Sequence, residues 1–223
     1  QDCKLLAVSG GAKYSLCVGP DASAVMIRNI MTATVDIRGV CTMDHNEVMD
    51  CKGNGVMVSG EKLDPYTGDA MSTVINYNTI SGCGGAGLWI RRRSLVSARG
   101  NYILDCLGDG VTVEDGRTVA ILSSSKIESC KGRGVAVYGG CRVDLEDTFV
   151  ERCAAGGVDV AGEGVQCTIM KCSVLNCGSH GIRAGAGPTA AGSITAIRKG
   201  GSSGSAGSPS SPSSPSCPGA GGG

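Results

Sequence analysis

Apolar residues along this chain come in short alternating pairs, two apart and mostly β-branched: Val56 and Val58, Leu88 and Ile90, Val111 and Val113, Val135 and Val137, Val158 and Val160. Alternation with period two marks a strand with one buried face. A glycine stands directly before each pair, at Gly55, Gly87, Gly110, Gly134 and Gly157. A second alternating pair follows in most segments, and we read it as Val96 and Ala98, Val119 and Ile121, Val143 and Leu145, Cys167 and Ile169. A third short element carries an Asn-x-Ile pattern, as at Asn78 to Ile80 and Asn101 to Ile103. No segment shows the i, i+3, i+4, i+7 stripe of an amphipathic helix. The pattern predicts three short strands per segment, with turns between them.

The segments repeat. Cys83, Cys106, Cys130, Cys153 and Cys177 follow one another at 23, 24, 23 and 24 residues, and Cys51 precedes Cys83 by 32. Aligned on these cysteines, Val48, Ile80, Ile103, Ile127, Val150 and Val174 stand three residues earlier. Asn46, Asn78 and Asn101 stand five earlier, followed in that column by Ser125, Thr148 and Cys172. Strand triplets at such a period predict an all-β, parallel solenoid of about seven coils of ~23 residues, because one coil cannot bury its inward face alone and stacked coils can. Inward columns then become ladders of like residues about 4.8 Å apart. The Cys column reads as interior, with free thiols of raised pKa, and Cys217 as a reactive thiol outside it. The glycine four residues after each Cys is expected at a corner with positive φ. The Asn column is expected to hydrogen-bond to backbone and to its neighbours in adjacent coils.

The pattern N-x-I-x-x-C-x-G-x-G-V-x-V, seen from Asn101 to Val113, resembles the repeat of the right-handed parallel β-helix, pectin-lyase-like superfamily. The resemblance implies a single-stranded right-handed parallel β-helix. It covers about residues 22 to 197 and is specific for fold, since that superfamily includes polysaccharide lyases, hydrolases, epimerases and non-catalytic repeat modules. Short coils rich in Cys and Gly are most similar to the non-catalytic modules, which implies a rigid surface for a protein or polysaccharide partner. The alternative is a polysaccharide-modifying enzyme, a uronate lyase or mannuronan C5-epimerase, or a fragment of one.

Residues 1–21 are expected to cap the open end, with Leu5, Leu6, Val8, Leu16 and Val18 apolar. A first coil over 22–43 is read with Ile30 in the Cys column, Ile27 three before it, and Val35 and Ile37 inward. Ser59 to Thr73 holds an inserted loop, expected to leave the coil after Val58. Residues 198–223 are rich in Gly, Ser and Pro, without charge or large apolar residues after Lys199, and are expected to be a disordered tail.

Composition narrows the function classes. The chain has 20 Lys and Arg against 20 Asp and Glu, which argues against a nucleic-acid partner. No apolar run approaches the ~18 residues of a membrane span. The 13 Cys include no C-x-x-C pair and are joined by 2 His, so no metal site and no cofactor are expected. A reduced Cys column suits an intracellular compartment, while the Ser-Pro tail resembles extracellular or cell-wall stalks. The chain starts at Gln1 and reads as a fragment or a processed product, and it is expected to be a monomer or part of a larger chain.

Strand alternation names the outward residues. Six residues after each Cys stand Met57, Trp89, Thr112, Ala136, Asp159 and Arg183, and eight after stand Ser59, Arg91, Glu114, Tyr138 and Ala161. Register should put Arg91 beside Glu114 and Asp159 beside Arg183. Trp89, Arg91, Glu114, Tyr138, Asp159 and Arg183 are therefore the candidate binding surface: an aromatic platform with carboxylates and arginines, or cross-strand ion pairs on an ordinary solenoid face. A second outward column places Lys126 between Tyr102 and Phe149, a cation–π or partner-contact arrangement. The inserted loop offers Asp64, Tyr66 and Asp69. Its Asp64-Pro65-Tyr66 is faintly similar to the Asp-Pro-His-Asp motif of alginate C5-epimerases, without that motif's His and second Asp, and is equally turn chemistry. His45 and His180 read as corner or loop residues.

Overall fold

Stacked coils form because each inward column repeats nearly the same residue, so successive coils share one register. The computed structural model describes residues 4–5, 14–60, 72–185 and 193–197. Asp64, Tyr66 and Asp69 of the insert, Cys217 and the tail from 198 to 223 lie outside the described residues. Among those described, the chain forms three parallel sheets of eight strands, each strand pairing with the equivalent strand one coil away. Sheet A holds the short strands of the Ile column, such as Tyr102–Leu104 and Lys126–Glu128. Sheet B holds the Gly-Val strands, such as Val111–Val113 and Arg133–Tyr138. Sheet C holds the second alternating pairs, such as Val119–Ser123 and Arg142–Glu146. Ile80 pairs with Ile103 and Ile103 with Ile127, while Val111 pairs with Val135 and Val135 with Val158. The core is the continuous interior between the three sheets. Lys4–Leu5 and Tyr14–Val18 continue sheets A and B by one strand each at the first end.

Two polar ladders run through this interior. Asn29, Asn46, Asn78 and Asn101 are all buried. The Asn29 side-chain amide donates to Asn46 Oδ1 at 2.9 Å, Asn46 to Asn78 Oδ1 at 2.9 Å, and Asn78 to Asn101 Oδ1 at 3.1 Å. Each of these oxygens also accepts the main-chain N–H of the preceding Asn, so buried polar atoms are satisfied coil to coil. Cys51, Cys83, Cys106, Cys130 and Cys153 form the second ladder, all free and buried. Their thiols donate to the carbonyl two residues back, at 3.5 Å for Cys83, Cys106 and Cys153. Hydrogen bonding with Cys106, then burial, pushes the Cys130 thiol up to about 12. The bond with Cys130 pushes Cys153 up in the same way, whereas a hydrogen bond with Cys83 lowers Cys51 at the other end. Cys177, also expected to be buried, is half-buried, because among the described residues no further coil with this column covers it.

Three other expectations are corrected. The column glycines do not have positive φ; they are needed for space. A Cβ on Gly55, Gly87, Gly110, Gly134 or Gly157 would come closer than 3.0 Å to a side-chain methyl of the next coil: Ile80, Ile103, Ile127, Val150 or Val174. The left-handed residues instead precede the Asn and Cys columns, and most carry side chains: His45 at φ 54, Tyr77 at 53, Asp105 at 55, Ser129 at 57. Their main-chain N–H groups are held by the adjacent coil, Tyr77 by Arg99 O and Asp105 by Glu128 O, which sustains a conformation L-residues rarely adopt.

The second correction is a one-residue slip in sheet C. Val96 pairs with Ala120 and Ala98 with Leu122, so Ala120 and Leu122 face inward and Ile121 is exposed. The extra residue of this 24-residue coil lies before the sheet C strand, so the inward positions move on by one. The third concerns the first coil. Met31 pairs with Val48 and Val35 with Val56, so only four residues span what takes eight in the next coil, and no Cys-column position exists there. Ile27 lies in sheet C and Ile30 faces outward beside Glu47, while Val35 and Ile37 are inward as expected.

Gly110→Ala should lower stability by about 1–3 kcal/mol, the usual cost of overpacking. Gly181→Ala should be close to neutral, since nothing lies within 4 Å of a Cβ there. Urea denaturation of the two variants checks the contrast. Thiol labelling at neutral pH should modify exposed Cys17 quickly, and Cys130 and Cys153 only as fast as the chain unfolds. Mass mapping of the labelled cysteines reads this directly.

Candidate functional site

The outer face of sheet B carries three parallel rows: strand alternation turns residues six and eight after each Cys outward, and residue three lies on the same face, as Arg133 shows by reaching Asp159. The sequence-named rows contain Trp89, Asp159 and Arg183, and Arg91, Glu114 and Tyr138. The third row, not anticipated from sequence, is Asn54, Ala86, Asp109, Arg133, Gly156 and His180. Its signal was available: it stands three residues before the six-after row, directly before the column glycine.

Asp159, Arg183, Arg133 and Asp109 join into one network across four coils. Arg183 binds Asp159 with both arms, Nε to Oδ1 at 2.9 Å and Nη2 to Oδ2 at 2.6 Å. Arg133 Nε lies 2.7 Å from Asp159 Oδ2. Asp109 Oδ1 accepts the main-chain N–H of Arg133 at 2.7 Å, and its Oδ2 accepts the Thr112 hydroxyl at 3.3 Å. The Asp159 side chain is only 2% exposed although it points outward, because the two arginines cover it. The hydrogen bond from Arg183, opposed by partial burial, holds the Asp159 carboxyl below its ordinary value. Tyr138 stands beside this network, with the Arg133 guanidinium 6.0 Å from its ring centre, and burial pushes its phenol up.

The expected pair of Arg91 and Glu114 does not form. The Arg91 guanidinium lies over the Trp89 ring at 4.1 Å, and its Nε donates to Ser59 of the preceding coil at 3.4 Å. A stacked guanidinium keeps most of its hydration and covers an apolar ring, whereas an exposed ion pair gains little in water. Glu114 therefore stands apart. It borders an open depression of about 260 Å³ lined by Asn54, Ala86, Trp89, Gly108, Asp109, Thr112 and Glu114.

The second candidate group sits on sheet A. Lys126 lies 5.3 Å from the Tyr102 ring centre, between Tyr102 and Phe149 in register. Glu128 gathers this face: it pairs with Lys126 and Arg152, and accepts the Tyr102 hydroxyl at 3.0 Å. Phe149 takes no part and is 51% exposed. His45 sits at a corner, stacked on Tyr77 at 5.1 Å and paired with Asp44. His180 lies in the third row of sheet B, its ring over Gly156 and its Nδ1 2.6 Å from Ser179 Oγ. Among the described residues no group of three His, Cys, Asp or Glu side chains is placed to hold a metal ion. No helix there is long and apolar enough to cross a membrane.

A family model for the right handed beta helix region matches residues 7–150 and 99–198. The chain belongs to this family. Among solved structures, this β-helix is similar to the A-module of mannuronan C-5 epimerase AlgE4 from Azotobacter vinelandii, with a TM-score of 0.52 and 15% identity. The match covers 77% of this chain and 57% of that one. At that identity the likeness is one of fold. No curated protein matches the chain.

Within this β-helix the charges are spent on one another. Both Asp159 oxygens are occupied by guanidinium, and both Asp109 oxygens by N–H or O–H donors. Carboxylates so held are committed to the protein and not to a ligand. Of the two carboxylates that line the depression, Glu114 is the one left to meet a ligand, beside an aromatic ring and polar groups.

Asp159→Asn should cost about 1–2 kcal/mol, since Arg133 and Arg183 lose a charged acceptor while remaining partly solvated. The stabilising pair is present above the ordinary Asp value of 3.8 and is lost as pH falls through the depressed folded value. The gap between variant and native protein should therefore be full at pH 7 and close in strong acid. Chemical denaturation across pH checks both magnitude and sign.

Proposed function

We propose that this β-helix is a non-catalytic binding module whose sheet B face, centred on Trp89, takes a polysaccharide. The supporting observation is the depression bordered by Trp89 and Glu114, which runs across three coils beside a network of fixed charges. Sugar rings present apolar faces and many hydroxyls. The part of the Trp89 indole that borders the depression, with Asn54, Thr112 and Glu114 around it, offers a stacking surface and hydrogen-bonding partners for both. Parallel stacking makes the face rigid, so little ordering is required when a ligand docks. The row through Trp89, Thr112, Asp159 and Arg183 runs along the solenoid axis and suits an extended chain. The solved neighbour's name associates this fold with a mannuronan-modifying module.

The commitment of the sheet B acids Asp109 and Asp159 supports a non-catalytic role. Glycoside hydrolysis uses two free carboxylates, and epimerisation or elimination on a uronate needs a free base with a cation to neutralise the sugar carboxylate. Asp109 and Asp159 are committed to donors, and Arg133 and Arg183 to Asp159. On sheet A, Phe149 and the Tyr102–Lys126 pair favour a contact with a protein partner as a secondary surface.

Trp89→Ala should weaken retention in polysaccharide-containing native gels by roughly tenfold, the worth of one aromatic contact of about 1.4 kcal/mol. Its circular dichroism should match that of the native protein. Equal retention of the two proteins would sink the assignment of the face. Unsaturated or epimerised products from a uronate polymer would replace it with the enzymatic reading.

A further inference from the structure

The lining of the Trp89 depression can be taken group by group. Asn54 Oδ1 accepts the Ala86 main-chain N–H at 2.8 Å, which leaves its amide nitrogen to donate outward. Thr112 donates its hydroxyl proton to Asp109, which leaves its oxygen to accept. Asp109 adds a carboxylate whose nearest cation, Arg133, is drawn to Asp159 at 2.7 Å and stands 4.0 Å from Asp109. Among the described residues no hydrogen-bond donor or cation pairs with the Glu114 carboxylate. Arg91, its neighbour in register, is turned onto Trp89 and Ser59. The lining therefore holds one amide donor against two carboxylates and a hydroxyl oxygen, and no cation.

Such a lining discriminates by charge. A uronate would bring a carboxylate against Glu114 where no lining residue is a cation, and like charges at close range are disfavoured. A protonated amine would gain the unpaired carboxylate and the face of an indole, the pairing by which proteins hold ammonium groups. The Trp89 ring already draws a cation, as the Arg91 guanidinium shows.

We propose that the depression selects amino-sugar units, hexosamines with a free protonated amine, over uronates and over N-acylated sugars. The proposal rests on the reading of sheet B as a polysaccharide-binding face and adds its specificity. Glu114 is the residue that sets it, by pairing with the amine. Trp89 supplies the ring, and Asn54 a donor for a neighbouring hydroxyl.

The test is calorimetric titration of the full chain with oligomers of glucosamine, of N-acetylglucosamine and of a uronic acid, at matched length and at a pH where the amine is charged. The glucosamine oligomer should bind at least about tenfold tighter than the other two, a difference of about 1.4 kcal/mol. Added salt should erode that preference. Glu114→Gln, nearly the same in shape, should abolish the preference while the N-acetylglucosamine oligomer binds as before. Glu151→Gln, a carboxylate on sheet A, should change nothing. Uronate binding as tight as glucosamine binding, or a preference that survives Glu114→Gln, overturns the specificity and leaves the polysaccharide face standing. Binding of none of the three removes the face and the specificity together.

Discussion

The glycine four residues after each core cysteine lets one main chain lie against the methyl groups of the next coil's Ile or Val. That approach sets the spacing on which the other contacts depend. With the coils that close, the Asn amides reach one coil to the next, the thiols line up, and three sheets share one interior. A bulkier residue in the column would push a single pair of coils apart, and every ladder crossing that gap would lengthen at once. The left-handed residues beside the Asn and Cys columns belong to the same scheme. They turn the chain sharply at two corners, and the adjacent coil's carbonyls secure them there.

This spacing also organises the outer surface. Side chains six residues after the Cys are neighbours along the axis, so Arg183 reaches Asp159 and Arg133 approaches it from the other side. The result is a run of alternating charge that neutralises itself and covers Asp159. One coil away the alternation breaks, because Trp89 captures Arg91. The polar depression and the unpaired Glu114 follow from that competition. A ring that takes a guanidinium from a carboxylate leaves that carboxylate for something else.

The interior was largely legible in the sequence, since inward columns repeat the same residue types and the Cys spacing supplies the coil length. The exceptions were places where repetition lapses. In the coil that follows Cys106, one extra residue shifted Val119 and Ile121 out and Ala120 and Leu122 in, and the β-branched pair on the outward face hid the slip. In the first coil no cysteine marks the column, and Asn29 and Met31 were the better anchors. The glycines were recognised as special but for the wrong reason, because steric need and backbone need leave the same letter. The outer site was only half legible. Trp89, Asp159 and Arg183 lay in rows that alternation exposes, and their neighbours Asp109 and Arg133 stand just before the column glycine, out of phase with that alternation. Outward rows do not repeat their residues, so the sequence carries no count by which to align them. Side-chain choices such as that of Arg91 depend on rivals in three dimensions.

The asparagine ladder has a direction. Asn29, Asn46 and Asn78 each donate to the Asn of the following coil, and Asn46, Asn78 and Asn101 each accept from the one before, so the inner rungs have the same needs above and below. A rung can be added or removed without leaving an orphan, provided that a complete turn of chain goes with it. Gain or loss of genetic material in multiples of one turn would lengthen or shorten the rod and preserve its register. A change of a few codons within a strand would misalign all three walls together. The rod's length is thus free to drift in evolution while its cross-section is not.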